Sequence, residues 1–337
     1  MTAASRATRL STPAFDWTLT ILSAVFVGGL FLDGWAHTHG RVDETFFTPW
    51  HAALYSGFLA TALFLWGGLV WGVRRGHRWA AALPDGYGLS LLGVALWFVG
   101  GPFDFAWHAV FGFEVNVEAL MSPAHAVLAV GAALITSGPL RAILRRPPAT
   151  WWRDLPLVLS LTFVISALTF FTQIAHPLAN LWAVGTRRSS PDVTELGLVS
   201  FLLTTAIVVG PLLLLQRHAR LPTGAVTIVV GLNSIAMGFL FDHGDYPRAL
   251  VAASLGGGAV ADLLRLGLRP AADRPVAFRV FSFAVPVLLT GVYFAGLGLT
   301  TGIAWSPHLW LGTVVFCGIV GWLLSYLPLP PRLEPGA

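Results

Sequence analysis

About ten stretches of roughly 20 predominantly apolar residues follow one another along the chain, at 17–36, 50–73, 87–111, 122–140, 155–175, 196–216, 222–241, 247–266, 277–299 and 307–327. A helix rises about 1.5 Å per residue, so each stretch is long enough to cross the ~30 Å hydrocarbon core of a bilayer. In lipid the backbone must satisfy its own hydrogen bonds, which admits only helices and closed β-barrels, and barrel strands are about half as long as these runs. The expected fold class is therefore all-α: a polytopic membrane helix bundle of about ten transmembrane helices, with the lipid bilayer as its first partner. Composition agrees, since 55% of the 337 residues are hydrophobic and 11% are charged, against about 25% charged in an average soluble protein. A cytoplasmic enzyme, a disordered chain and a disulfide-stapled secreted scaffold are all excluded. The last fails because Cys317 is the lone cysteine.

Arginine placement sets the orientation. Arg6 and Arg9 precede the first stretch, and Arg74, Arg75 and Arg78 follow the second. Arg141, Arg145, Arg146 and Arg153 lie in the fourth connection, Arg217 and Arg220 in the sixth, Arg265, Arg269, Arg274 and Arg279 in the eighth, and Arg332 in the tail. Arg41, Arg187, Arg188 and Arg248 are left for the other side. Both termini are expected to be cytoplasmic, in a multi-pass protein of the cell (inner) membrane. The first stretch imitates a signal peptide, but no small-residue cleavage site follows it, so it is expected to be retained. Every basic side chain is arginine, a coding bias rather than a nucleic-acid signature, and no nucleic-acid partner is expected.

Histidine breaks the other way. His37, His39, His51, His108, His125, His176, His243 and His308 all fall at the outer ends of the spans, together with most of the acids. Lipid solubility does not explain an outer pole rich in imidazole and carboxylate.

Within that pole one pattern occurs twice. Residues 33–51 read DGWAHTHGRVDETFFTPWH and residues 104–125 read DFAWHAVFGFEVNVEALMSPAH. Asp33 matches Asp104, His37 matches His108, Glu44 matches Glu118, Pro49 matches Pro123 and His51 matches His125. The Asp-His pairs are spaced i,i+4 and share a helix face. Thr48-Pro49 and Ser122-Pro123 read as an N-cap followed by proline at the first helical position. His51 and His125 then sit in the first turn of the returning helix, where the dipole favours the neutral imidazole that a metal needs. Each hairpin therefore converges one carboxylate and two imidazoles, a metal donor set that leaves coordination positions open. Donor type alone leaves copper, iron, zinc and manganese open, although Met1, Met121 and Met237 are too few for a soft-ligand copper(I) conduit. Glu44 and Glu118 are candidates to orient a histidine, to add a ligand, or to stand as plain loop acids. The expected organisation is residues 1–145 carrying the two duplicated hairpins, and 146–337 carrying six further spans with no recognised motif.

At these residues the sequence resembles the C subunit of the copper membrane monooxygenases, the particulate methane and ammonia monooxygenase family. That subunit carries an Asp, a His four residues on, then a loop with Glu and a Pro-any-His, much as Asp33, His37, Glu44, Pro49 and His51 stand here. Its second site has Asn in the first position; here Asp104 stands there, with His108 and His125. The resemblance covers roughly residues 20–135. It implies copper at both clusters, O2 chemistry, a small apolar or ammonia-like substrate and partner membrane subunits or a homo-oligomer.

Weaker echoes lie further on. Gln173, His176 and Glu195 form a candidate third copy, and Asn233, Met237, Asp242 and His243 a fourth remnant, while Ser306-Pro307-His308 repeats the cap alone. No phosphate loop, dinucleotide fingerprint or nucleophile elbow is present. Three functional classes follow: a metal-dependent monooxygenase or its metal-bearing subunit; a non-catalytic protein for metal binding or delivery; and a haem or quinone protein. A transporter needs a polar path through the bilayer, and Asp16, Asn233 and Asp262 are scattered rather than aligned. The topology is open to test with phosphatase fusions, which are active only outside the cytoplasm. A fusion after Arg146 is expected to be silent and one within 186–189 active; an active fusion after Arg146 contradicts the orientation.

Overall fold

The computed structural model describes residues 9–41, 48–112, 118–185, 190–218, 221–242 and 248–331. Among them the chain is helical, without a strand. The helices are α1 (Pro13–Thr38), α2 (Pro49–Arg74), α3 (Gly88–Phe111), α4 (Glu118–Met121), α5 (Pro123–Thr136), α6 (Gly138–Ile143), α7 (Trp151–Phe171), α8 (Pro177–Asn180), α9 (Pro191–Arg217), α10 (Ala225–Phe241), α11 (Ala249–Leu268), α12 (Pro275–Leu299) and α13 (Pro307–Leu324). Eight of them are long and apolar enough to cross a membrane: α1, α2, α3, α7, α9, α11, α12 and α13. The protein is a multi-pass helical membrane protein. Two expected spans are shorter helices, α5 with 14 residues and α10 with 17. The reason at α5 is local. Ser137 turns its hydroxyl back onto the Ala133 carbonyl at 2.5 Å, and Gly138-Pro139 starts a separate helix.

The chain forms two compact units, Met1–Phe171 and Thr172–Ala337. The first reaches past residue 145 to take in α7, which packs on α1, α5 and α6. Phe170 stands edge-on to Phe31, and Trp152 stacks on Trp17 at 4.6 Å.

Inside the first unit the two hairpins, α1–α2 and α3–α5, are built alike. A Cβ on Gly29 would lie 2.8 Å from the Leu54 backbone, and one on Gly57 would lie 2.8 Å from that of Phe26. The matched residues repeat this. Gly100 abuts Leu128, where a Cβ would meet the side chain at 2.7 Å, and Gly131 abuts Trp97. Small residues bring membrane helices close enough for backbone packing. The duplication thus extends beyond the polar residues to Phe26/Trp97, Gly29/Gly100, Leu54/Leu128 and Gly57/Gly131. Phe26 and Trp97 also touch each other, edge-on at 4.7 Å, so the hairpins meet through equivalent positions, as the halves of a two-fold interface do.

At the arginine-rich end a buried polar knot ties the unit together. Asp16 is fully buried in α1 and accepts from the Tyr87 hydroxyl at 2.5 Å and from Arg146 Nη1 at 2.8 Å. Arg146 also donates to the Arg153 carbonyl at 2.6 Å. One guanidinium therefore joins the start of α1 to the connection between α6 and α7.

In the second unit Asp262 of α11 caps α10 from the side, accepting the Thr227 N–H at 2.9 Å and its hydroxyl at 2.7 Å. Phe201, Tyr293, Phe294 and Trp305 form an aromatic cluster, and the Tyr293 hydroxyl reaches the Pro177 carbonyl at 3.0 Å. His176 is buried at the N-cap of α8, its Nδ1 accepting the Leu178 N–H at 3.2 Å. Burial holds its imidazole well below the ordinary range, at about 3, so it is a neutral cap at neutral pH.

Candidate metal centres

Both expected clusters assemble. Asp33 and His37 project from the last two turns of α1. His51 enters from the first turn of α2, where the Thr48 side chain caps the helix by accepting the His51 N–H at 3.1 Å. The Trp50 indole donates to the Arg41 carbonyl at 2.9 Å and so ties the two ends of the connection. Asp33 Oδ1 lies 3.5 Å from His51 Nε2, and its Oδ2 lies 3.8 Å from His37 Nε2.

The second cluster is the same construction on α3 and α5. Asp104 Oδ1 lies 3.6 Å from His108 Nε2 and 3.5 Å from His125 Nε2. Ser122 accepts the His125 N–H at 3.1 Å, and its hydroxyl lies 2.9 Å from His125 Nδ1. That contact turns Nε2 inward, the arrangement by which outer hydrogen bonds orient a metal-binding imidazole. In each cluster the three donor atoms lie within 4.8 Å of one another.

These separations fit an ion better than they fit hydrogen bonds. An N–H···O bond spans about 2.7–3.2 Å, and every Asp–His separation here exceeds that. Two ligands held about 2.1 Å from one ion in a tetrahedral shell stand about 3.4 Å apart. Asp33 Oδ1 and Asp104 Oδ1 are moreover buried without a hydrogen-bond partner. A buried charge without a partner is costly, and a cation between the three donors removes that cost. The clusters differ in access: the His37 side chain is 48% exposed, that of His108 13%.

The two clusters are also neighbours. Tyr55 links the hairpins that carry them, its ring centroid 6.1 Å from that of Trp97 on α3. Tyr55 is one turn beyond His51 on α2, with ring centroids 6.3 Å apart. A Cβ on Gly101, one turn before Asp104 on α3, would lie 3.3 Å from the phenol oxygen. Tyr55 belongs to neither repeated motif. The signal was the duplication itself, because the matched position in the second hairpin is Ala129 and the symmetry breaks there.

The remaining expectations divide. Glu44 and His243 lie outside the described residues, and Glu118 opens α4 with its side chain outside them. His39 stacks on Trp35 at 4.6 Å and turns Nδ1 to the Trp35 carbonyl, away from the cluster. His176 is the cap of α8 rather than the end of a span, because α7 stops at Phe171. Asp242 pairs with Arg248 at 2.8 Å. Among the described residues, the groups able to hold a metal are Asp33/His37/His51 and Asp104/His108/His125. Comparison with protein-family models, curated proteins and solved structures finds no match.

An ion that binds only the folded state at 100 times its dissociation constant adds about 2.7 kcal/mol of stability. Divalent metal is therefore expected to raise the melting temperature and a chelator to lower it. Asp33→Asn and Asp104→Asn, which remove a buried charge, are expected to melt above the wild type in chelator while losing part of the metal-induced rise. A wild-type melting temperature that ignores both metal and chelator contradicts the assignment.

Proposed function

We propose that the chain is a membrane metalloprotein that crosses the bilayer ten times, with both termini cytoplasmic and two metal centres at the outer boundary. Asp33, His37 and His51 hold one ion; Asp104, His108 and His125 hold the other. On this reading the protein is similar in role to the C subunit of a copper membrane monooxygenase and oxidises a small apolar substrate with O2. Copper is the metal the reading assigns, with iron or zinc as alternatives.

The observation that carries it is the pair of buried carboxylate oxygens, each unpartnered and each 3.5–3.6 Å from an imidazole nitrogen. Three protein donors leave positions free, as closed structural sites do not. A bound ion with open positions supplies O2 binding and reduction. The chain's own residues do the rest. The carboxylates set the site charge, Ser122 fixes the ring of His125, and the surrounding bilayer concentrates substrates that partition into lipid.

The exposure of His37 favours a second reading, in which the outermost ligand exchanges metal with a partner and the protein delivers it. The two are separable by one experiment. Purified protein is expected to carry two ions per chain, falling to one in Asp33→Ala, His37→Ala or His51→Ala and to one in Asp104→Ala, His108→Ala or His125→Ala. Loaded membranes with an electron donor are expected to consume O2 in a substrate-dependent way that His37→Ala or His108→Ala abolishes. Two ions with no O2 uptake leave the delivery reading, and unchanged metal content in all six variants overturns both.

A further inference from the structure

At the arginine-rich end of the first unit lies a groove unrelated to the metal centres. It has a volume of about 370 Å³ and is lined by Phe15, Leu63, Phe64, Gly67, Gly68 and Trp71, with Arg9 at its rim. That is within the ~300–1,000 Å³ of small-molecule sites. Leu63, Gly67 and Trp71 are spaced i, i+4, i+8 on α2, so the groove follows one helix face for about 12 Å. The face looks outward from the bundle. Leu63 is 61% exposed, and nothing lies within 4 Å of a Cβ built on Gly67. In a bilayer this is a lipid-facing furrow whose floor is two glycines.

Its upper end carries charge. The Arg75 guanidinium lies 3.9 Å from the Trp71 ring centroid and that of Arg9 lies 5.2 Å from it. Arg9 is fixed from the neighbouring segment, its Nη1 donating to the Ala82 carbonyl and its own carbonyl accepting the Asp85 N–H at 2.9 Å. Among the described residues neither guanidinium makes an ion pair with a carboxylate, Asp85 included. Each gains from the indole, and with two cationic groups beside one ring and no carboxylate paired to either among the described residues, this end of the groove is complementary to an anion. Trp71 and Arg75 end a membrane-length helix, the depth at which aromatic belts and headgroups lie. Trp66 and Trp79 meet beside it at 6.0 Å.

We infer that this groove binds one anionic phospholipid, its headgroup phosphate at the Arg9 and Arg75 guanidiniums beside Trp71 and one acyl chain laid along Gly67 and Gly68. The occupant follows from charge and shape together. The mouth demands a negative group at headgroup depth, and the furrow beneath it is apolar, open to the lipid and contoured for a chain. Basic pockets at the cytoplasmic ends of membrane helices recognise lipid headgroups by this chemistry. A soluble phosphate satisfies the mouth alone.

The test uses the full chain purified from membranes containing phosphatidylglycerol and phosphatidylcholine, with bound lipid counted by native mass spectrometry. One phosphatidylglycerol per chain is expected to survive delipidation. The double variant Arg9→Gln/Arg75→Gln removes the charge, and Gly67→Leu fills the furrow from the lipid side. Each is expected to reduce retained phosphatidylglycerol on the order of tenfold, while Arg78→Gln, an exposed arginine of the same end, leaves it unchanged. Glycerol phosphate added in solution is expected not to displace the lipid. Equal retention of phosphatidylcholine, an equal loss in Arg78→Gln, retention undiminished by Gly67→Leu, or displacement by glycerol phosphate each overturns the proposal.

Discussion

Two carboxylates set the terms at the histidine-rich end of this protein. Asp33 and Asp104 are buried near the ends of membrane-length helices, and each keeps one oxygen without a hydrogen bond. Burying an ionisable group without a partner is costly, and the chain bears that cost twice at matched positions. The helix caps bring the counterparts. Thr48-Pro49 and Ser122-Pro123 start the returning helices so that His51 and His125 fall in the first turn, with Nε2 facing the carboxylate. Cap and cluster are one device, since moving the cap by a residue would rotate the histidine about 100° around the helix axis.

The glycine contacts set how closely each hairpin closes. Gly29 against Leu54 and Gly57 against Phe26 draw α1 and α2 together, and Gly100 and Gly131 do the same for α3 and α5. The hairpins then meet through Phe26 and Trp97, and Tyr55 of α2 lies against Trp97 and Gly101 of α3. At the opposite end of the first unit the chemistry is different in kind, since the Asp16–Arg146 pair is closed by a direct hydrogen bond at 2.8 Å. Within the second unit the Asp262 cap is closed in the same way, at 2.9 Å from the Thr227 nitrogen.

The clusters were legible in the sequence because their information is local: i,i+4 spacing and a cap-Pro-any-His signature survive without knowledge of tertiary contacts. The helical membrane class was legible for the same reason, since each run declares itself by its own length. The adjacency of the clusters was not, because it depends on how two hairpins pack, and that is written in glycines that look like ordinary membrane composition. Tyr55 was hidden by its chemistry, an aromatic among many. The expected span at 122–140 reads as continuous apolar sequence, yet Ser137-Gly138-Pro139 breaks it into two helices. His176 reads in the sequence as part of a candidate third copy with Gln173 and Glu195, whereas its backbone makes it a cap.

The most direct test of the account is X-ray absorption at the metal edge of the purified, metal-loaded protein. The Asp-His-His assignment predicts a shell of nitrogen and oxygen near 2.0–2.1 Å, outer scattering from two imidazoles per ion, and no sulfur. In Asp33→Asn and Asp104→Asn that pattern is expected to weaken one site at a time. A shell of oxygens alone, with no imidazole scattering, would show that the ions are solvated surface cations and that the two clusters are not metal centres.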